Sequence, residues 1–150
     1  SCTPEHYARL AEIPRINGVK EASGDISQVS RTRHLCGDAL NIWSGNDDQT
    51  LPMLALGAKG VISVASNIVP QVMATLCAAA LSGDFFTARA IHEAYAGLFD
   101  ALFYEVNPIP VKTAMQMLGW DSGRLRLPLC PMAEGNAAKL QNCLESLQLL

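Results

Sequence analysis

Lys20 is the residue of this chain best placed by its neighbours to act as a nucleophile. It stands in Gly18-Val19-Lys20-Glu21-Ala22, inside an apolar run that reads as a strand over residues 16–22, closed by Ser23-Gly24. Strand side chains alternate between faces, so Lys20 shares its face with Gly18 and Ala22, while Val19 and Glu21 occupy the other. Two small neighbours leave room beside the amine, and barrel enzymes carry their chemistry at the C-terminal ends of their strands. An ammonium buried among apolar atoms is disfavoured relative to the neutral amine, and the neutral amine attacks a ketone to form an imine. A lysine that snorkels to solvent or pairs with a carboxylate fits the same local pattern. Glu21, on the opposite face, is not that carboxylate.

Two further loops are expected on the same rim. Ser44-Gly45-Asn46-Asp47 follows a second strand, and Ile62-Ser63-Val64-Ala65-Ser66 closes a third. Gly45 would let backbone amides approach a ligand closely, and free backbone groups at a strand end can hold a small carboxylate. A plain turn at Gly45-Asn46 with Asp47 as a helix cap explains the same residues, as does the phosphate cradle that barrels build after their last strands. No Walker or dinucleotide fingerprint points to a nucleotide.

Other chemistries find less support. Cys2, Cys36, Cys77, Cys130 and Cys143 form no C-x-x-C pair, and with His6, His34 and His92 they offer no zinc spacing, so no metal and no cofactor is expected. Free thiols are what a cytosolic protein would carry. A net charge of −3 without a basic cluster argues against nucleic acid. No apolar stretch reaches membrane-spanning length, and Glu5, His6 and Arg9 interrupt any secretory h-region, so no membrane partner is expected and a cytoplasmic location is.

The elements that must position these residues read as αβαβαβ, followed by helices alone. Thr3-Pro4-Glu5 has the form of a helix start: a hydroxyl cap, proline in the first turn, then an acid. Asp25 caps a second helix with Ile26, Val29 and Leu35 on its buried side, ending at Gly37. Strands are expected at 40–43 and 60–64, with a helix through Leu51, Leu54, Ala55 and Leu56 between them. Helices are expected over 72–81, 84–105, 111–118 and 133–147, and an extended stretch over 124–129. In the long helix, Phe85, Ala88, Ile91, Ala94 or Tyr95, Leu98 and Leu102 recur at helical spacing and should face other helices. Short apolar strands alternating with helices pair in parallel. Three of them cannot close a barrel, and they leave open edges and an uncovered face. From that incompleteness, with a first residue other than Met, the chain is expected to be an excerpt or a processed piece of a longer protein.

Several strings occur in order that, together, resemble one family. They are Gly18-Val19-Lys20-Glu21-Ala22-Ser23-Gly24-Asp25, Ser44-Gly45-Asn46-Asp47-Asp48, Gly57-Ala58-Lys59-Gly60-Val61-Ile62-Ser63-Val64 and Asn107-Pro108-Ile109-Pro110-Val111-Lys112, with Leu125-Arg126-Leu127-Pro128-Leu129 fitting as well. In these the chain resembles the dihydrodipicolinate synthase and N-acetylneuraminate lyase family of class I aldolases over essentially all its length.

The resemblance implies an α/β fold: the C-terminal part, about the last three βα units, of a (β/α)8 TIM barrel plus a C-terminal helical domain. Residues 1–69 would be the last βα units, and 70–150 the final barrel helix and helical domain. It implies condensation of pyruvate with aspartate semialdehyde to 4-hydroxy-tetrahydrodipicolinate in lysine and diaminopimelate biosynthesis, by an enzyme assembled as a homotetramer. Lys20 matches the Schiff-base lysine, Ile62 the position whose backbone contacts pyruvate, and Gly45 a small residue lining the pocket opposite. Asn46 stands where the family often has Asp, a departure that bears on the second-substrate side. The family's Gly-Thr-Thr-Gly-Glu stretch, proton-relay tyrosines and carboxylate-binding arginine belong to the first half of the barrel and do not occur here. The isolated chain is therefore expected to be inactive. The alternatives are a sugar-acid or N-acetylneuraminate lyase of the same family, and a non-catalytic half-barrel that serves as an assembly piece.

Overall fold

The computed structural model describes residues 2–150; Ser1 lies outside the described residues. Thr3 caps α1 (Pro4–Ala11) through a hydroxyl that accepts the His6 amide, and the His6 ring nitrogen Nδ1 in turn accepts the Thr3 amide. Asp25 caps α2 (Ile26–Cys36) by accepting the Ser27 amide, and α2 stops at Gly37, whose φ of 53° suits a residue without Cβ. Both caps stand where the sequence places them. A 3-10 turn at Gly37–Ala39 then leads to the second strand.

The sheet has two named strands, β1 (Gly18–Glu21) and β2 (Asn41–Ser44), paired in parallel with Lys20 opposite Trp43 and Glu21 opposite Ser44. The third strand expected over 60–64 reduces to one parallel bridge, Ser44 to Val61. Ser44 donates its amide to Gly60 O and accepts from the Ile62 amide, each at 2.8–2.9 Å. Beyond Ile62 the backbone turns away: Val64 has φ −84° and ψ −44°, and Ala65–Asn67 forms a 3-10 turn. The Val64 and Ala65 amides bond to the Asp47 carboxylate instead of a sheet partner, which ends the extended run.

One face of the sheet is covered. Val29 of α2, Ile42 of β2, Met53 of α3 (Thr50–Ala55) and Ala58 form a small core with Val19, Ile26 and Leu56 packed against it. Among the described residues no layer packs over the opposite face, which carries Gly18, Lys20 and Trp43. Leu35, expected inside, is 43% exposed, because the buried stripe of α2 runs through Val29, Thr32 and Cys36.

From Pro70 onward the chain is helical: α4 (Pro70–Leu81), α5 (Phe85–Ala101), α6 (Ile109–Met117) and α7 (Glu134–Ser146). Asp84 caps α5 through the Thr87 amide. Leu98, Phe99 and Leu102 meet Ile109, Val111 and Ala114 of α6 and Leu140 and Leu144 of α7 in the largest core. On α5 the expected face holds at Ala88, Leu98 and Leu102, while Phe85 at the helix start is 41% exposed and Ala94 is exposed. The helix ends at Ala101 rather than 105. The 124–129 stretch contains no strand; it is irregular chain, with Leu127 93% exposed.

Candidate active site

Lys20 is the third residue of β1 and points from the sheet's open face. Lys20, expected among apolar atoms, is therefore exposed, because among the described residues no layer is packed over that face. Its room is defined from behind by Gly45. A Cβ at Gly45 would lie 2.5 Å from Ala22 Cβ and 2.9 Å from Lys20 Cε, so only glycine lets the turn after β2 approach this closely. The Gly45 amide donates to Glu21 O at 2.7 Å, which fixes that approach.

A cleft of about 500 Å³ opens in front of Lys20. Ile62, Ser63 and Val64 form one wall, and Asn107, Pro108, Val111 and Lys112 another. Lys20 and Ile62 thus share a cavity, with Gly45 against the lysine stem. Ile62 is half exposed, and its amide is committed to Ser44 O.

The far wall adds charge that the sequence pattern left unremarked. Lys112 on α6 donates to both carboxylate oxygens of Asp121 at 3.0 and 3.1 Å. That bond, helped by the Gly123 amide, holds the Asp121 carboxyl below its ordinary range. The pair lines the cleft, so a ligand there meets a neutralised cation rather than a free one. No signal short of the family strings brings Lys112 and Asn107 to Lys20, since some ninety residues separate them.

Glu21 faces the other way and is 4% exposed. Burial alone would raise its carboxyl, but the Ser23 amide and the Gln28 side chain donate to it at 2.7 and 3.0 Å, and the Tyr7 hydroxyl lies beside it. The net effect lowers Glu21. Burial first, then that carboxylate, pushes the Tyr7 phenol up to about 12. Asn46 lies elsewhere: its backbone oxygen accepts from Ser44 and Thr50, and it borders a separate cleft with Asp48, Phe99 and Tyr104. Among the described residues no cluster of three His, Cys, Asp or Glu side chains is arranged to hold a metal, and no helix is long and apolar enough to cross a membrane.

Residues 1–147 match the model of the dihydrodipicolinate synthetase family. The chain belongs to that family. It is 49% identical over 147 residues to the 4-hydroxy-tetrahydrodipicolinate synthase of Geobacter sulfurreducens, a match that takes in 98% of this chain and 51% of that one. Among solved dihydrodipicolinate synthases, that of Thermotoga maritima superposes with a TM-score of 0.95 at 44% identity, covering 98% of this chain and 51% of the other. The Acinetobacter baumannii enzyme, solved in complex with pyruvate, superposes with a TM-score of 0.96 at 36% identity, over 99% and 51% of the two chains. The chain thus has the α/β architecture of these synthases but spans about half the length of the curated relatives it matches.

Proposed function

We propose that the chain is the C-terminal half of a 4-hydroxy-tetrahydrodipicolinate synthase and that Lys20 captures pyruvate as an imine. In this reading residues 1–69 are the last βα units of a (β/α)8 barrel, and residues 70–150 are its final helix and a C-terminal helical domain. The observation that carries it is the position of Lys20: at the C-terminal end of a parallel strand, on the uncovered sheet face, in one cleft with Ile62. Such a face becomes the interior of a closed barrel, where this class of enzyme does its chemistry. The pyruvate reported in the Acinetobacter baumannii complex supports the choice of substrate.

The chemistry follows from an amine beside a ketone. Lys20 Nζ forms a C–N bond to C2 of pyruvate, and the carbonyl oxygen leaves as water. The resulting iminium acidifies the methyl group, whose proton loss gives an enamine. Its terminal carbon then bonds to the aldehyde carbon of aspartate semialdehyde. The nitrogen itself is the electron sink, so no cofactor is required. This chain supplies the nucleophile, the Ile62 wall and the Gly45 backing. The acid–base groups for dehydration belong to the other half of the barrel. The parent enzyme is a cytoplasmic homotetramer in this reading, and the synthase name carried by the relatives favours it over a neuraminate or sugar-acid lyase.

Borohydride reduction in the presence of pyruvate tests the assignment. In a preparation with a complete barrel, the adduct is expected on Lys20, and Lys20→Arg should abolish it because a guanidinium stays protonated. Labelling on Lys59 or Lys112 instead, or none, would overturn the reading.

A further inference from the structure

We infer that Asp47 is a positioning residue that locks the Ile62 wall of the cleft onto the turn behind Lys20. The inference rests on the pyruvate reading above and deepens it. Asp47 is 1% exposed, although it follows a glycine turn that would ordinarily be solvated. One carboxylate oxygen, Oδ2, accepts the Val64 amide at 3.0 Å and the Ala65 amide at 2.9 Å, from residues 17 and 18 positions further on. These amides begin immediately after Ile62-Ser63, where the chain leaves β2 for the 3-10 turn. The other side-chain bonds of this segment are local: Ser66 to Ser63 and Asn67 to Val64. Asp47 therefore makes the side-chain tie between the Ile62 segment and the turn containing Gly45.

That turn is itself held rigid. Ser44 Oγ and Thr50 Oγ1 both donate to Asn46 O, and the Gly45 amide donates to Glu21 O. Gly45 in turn abuts Lys20 Cε. A continuous path of short contacts thus runs from the Lys20 stem through Gly45 and Asp47 to Val64. Two amides on one ionised oxygen form charge-assisted bonds, stronger than neutral ones and short-ranged enough to fix a wall. The second oxygen, Oδ1, is buried without a partner, so the carboxylate stays buried although only one of its oxygens is bonded. A buried orphan of this kind is costly, and its retention fits a placement serving the Ile62 segment.

The test uses the protein with its barrel complete, as wild type, Asp47→Ala and Asp47→Asn. Asparagine can offer its carbonyl oxygen to both amides, so it should preserve the tie, whereas alanine removes it. Three quantities are read: amide exchange at Val64 and Ala65, the pyruvate concentration giving half-maximal borohydride trapping at Lys20, and the melting temperature. In Asp47→Ala, both amides should lose protection by about tenfold or more, the scale of one charged hydrogen bond. The half-saturating pyruvate concentration should rise by a similar factor of about ten, with the maximal trapping rate little changed. Asp47→Asn should stay within about threefold of wild type on both measures, which is the rescue a retained carbonyl acceptor predicts.

A role in stability alone would lower the melting temperature and the trapped fraction together, leave half-saturation unmoved, and overturn the inference. Unchanged protection at Val64 and Ala65 in folded Asp47→Ala would overturn it too. Should Asp47→Ala not fold, Asp47→Asn decides: loss of protection there, with half-saturation unchanged, separates the clamp from pyruvate binding and refutes the positioning role. A wild type that pyruvate never labels refutes the parent reading, a result recognisable because the exchange experiment is independent of it.

Discussion

Adjacent residues of β1 face opposite environments, and this separates their tasks. Lys20 projects from an open face while Glu21, one peptide on, is buried with Ser23 and Gln28 donating to it and Tyr7 beside it. The Glu21 carboxyl is lower in the folded chain than its ordinary 4.5, so its contribution to stability is full above that value and fades as pH falls through the lowered one. Tyr7 runs the other way. Its phenol is raised from 10.0 to about 12, so its contribution is full below 10.0 and is lost between 10.0 and about 12 as pH rises. Melting temperature against pH should therefore fall at both limbs. Glu21→Gln should cost about 1–3 kcal/mol near neutrality, the scale of a bond to a buried charge, and flatten the acid limb. Tyr7→Phe should remove the alkaline loss. A Glu21→Gln variant with an unchanged acid limb would show that other carboxylates govern it.

At the scale of elements, the caps and helical stripes were legible and the tertiary ties were not. Thr3 and Asp25 announce helix starts by residue type, and each makes its cap bond, as Asp84 does at the start of α5. Leu98 and Leu102 announce a buried stripe by spacing, and both are fully buried. Leu98→Ala should cost about 2–5 kcal/mol by urea denaturation, because the cavity lies where α5 meets the core shared with α6 and α7. Phe86→Ala, at a residue 77% exposed, should move the midpoint little. The run over 60–64 looks like a strand because Val61, Ile62 and Val64 are β-branched, yet only Val61 pairs. What ends it is Asp47, whose partners lie 17 and 18 residues away, and no local pattern records such a tie. Lys112 and Asn107 were likewise invisible beside Lys20 except through the family strings. The exposure of Lys20 also departs from the local reading, since alternation along a strand shows which residues share a face and not whether a layer covers it.

The whole molecule exposes more surface than its size calls for. A self-contained 16.1 kDa protein is expected to present about 7,400 Å² by the usual size scaling. This chain presents 8514 Å², roughly 1,100 Å² more, which exceeds the ~800 Å² that one partner contributes to a standard interface. The sites of that exposure agree with a missing neighbour. Lys20 and Gly18 lie on an uncovered sheet face, and among the described residues β1 pairs with β2 alone, so its other edge offers unbonded backbone groups. Uncovered sheet faces and unpaired strand edges of this kind drive association. The isolated 150-residue chain is therefore expected to associate rather than persist as a compact monomer, which sedimentation at several concentrations would measure. A sharp, concentration-independent monomer would contradict this. Its synthase activity should be absent for a separate reason. In the proposed reading Lys20 provides the nucleophile, but positioned acid–base groups are worth roughly 10²–10⁴-fold in rate, and they belong to the half this chain lacks. Supplying that half as a second polypeptide should restore both properties together, giving a defined complex and pyruvate trapping at Lys20. A complex that forms without trapping would locate the failure in the chemistry of the cleft rather than in assembly.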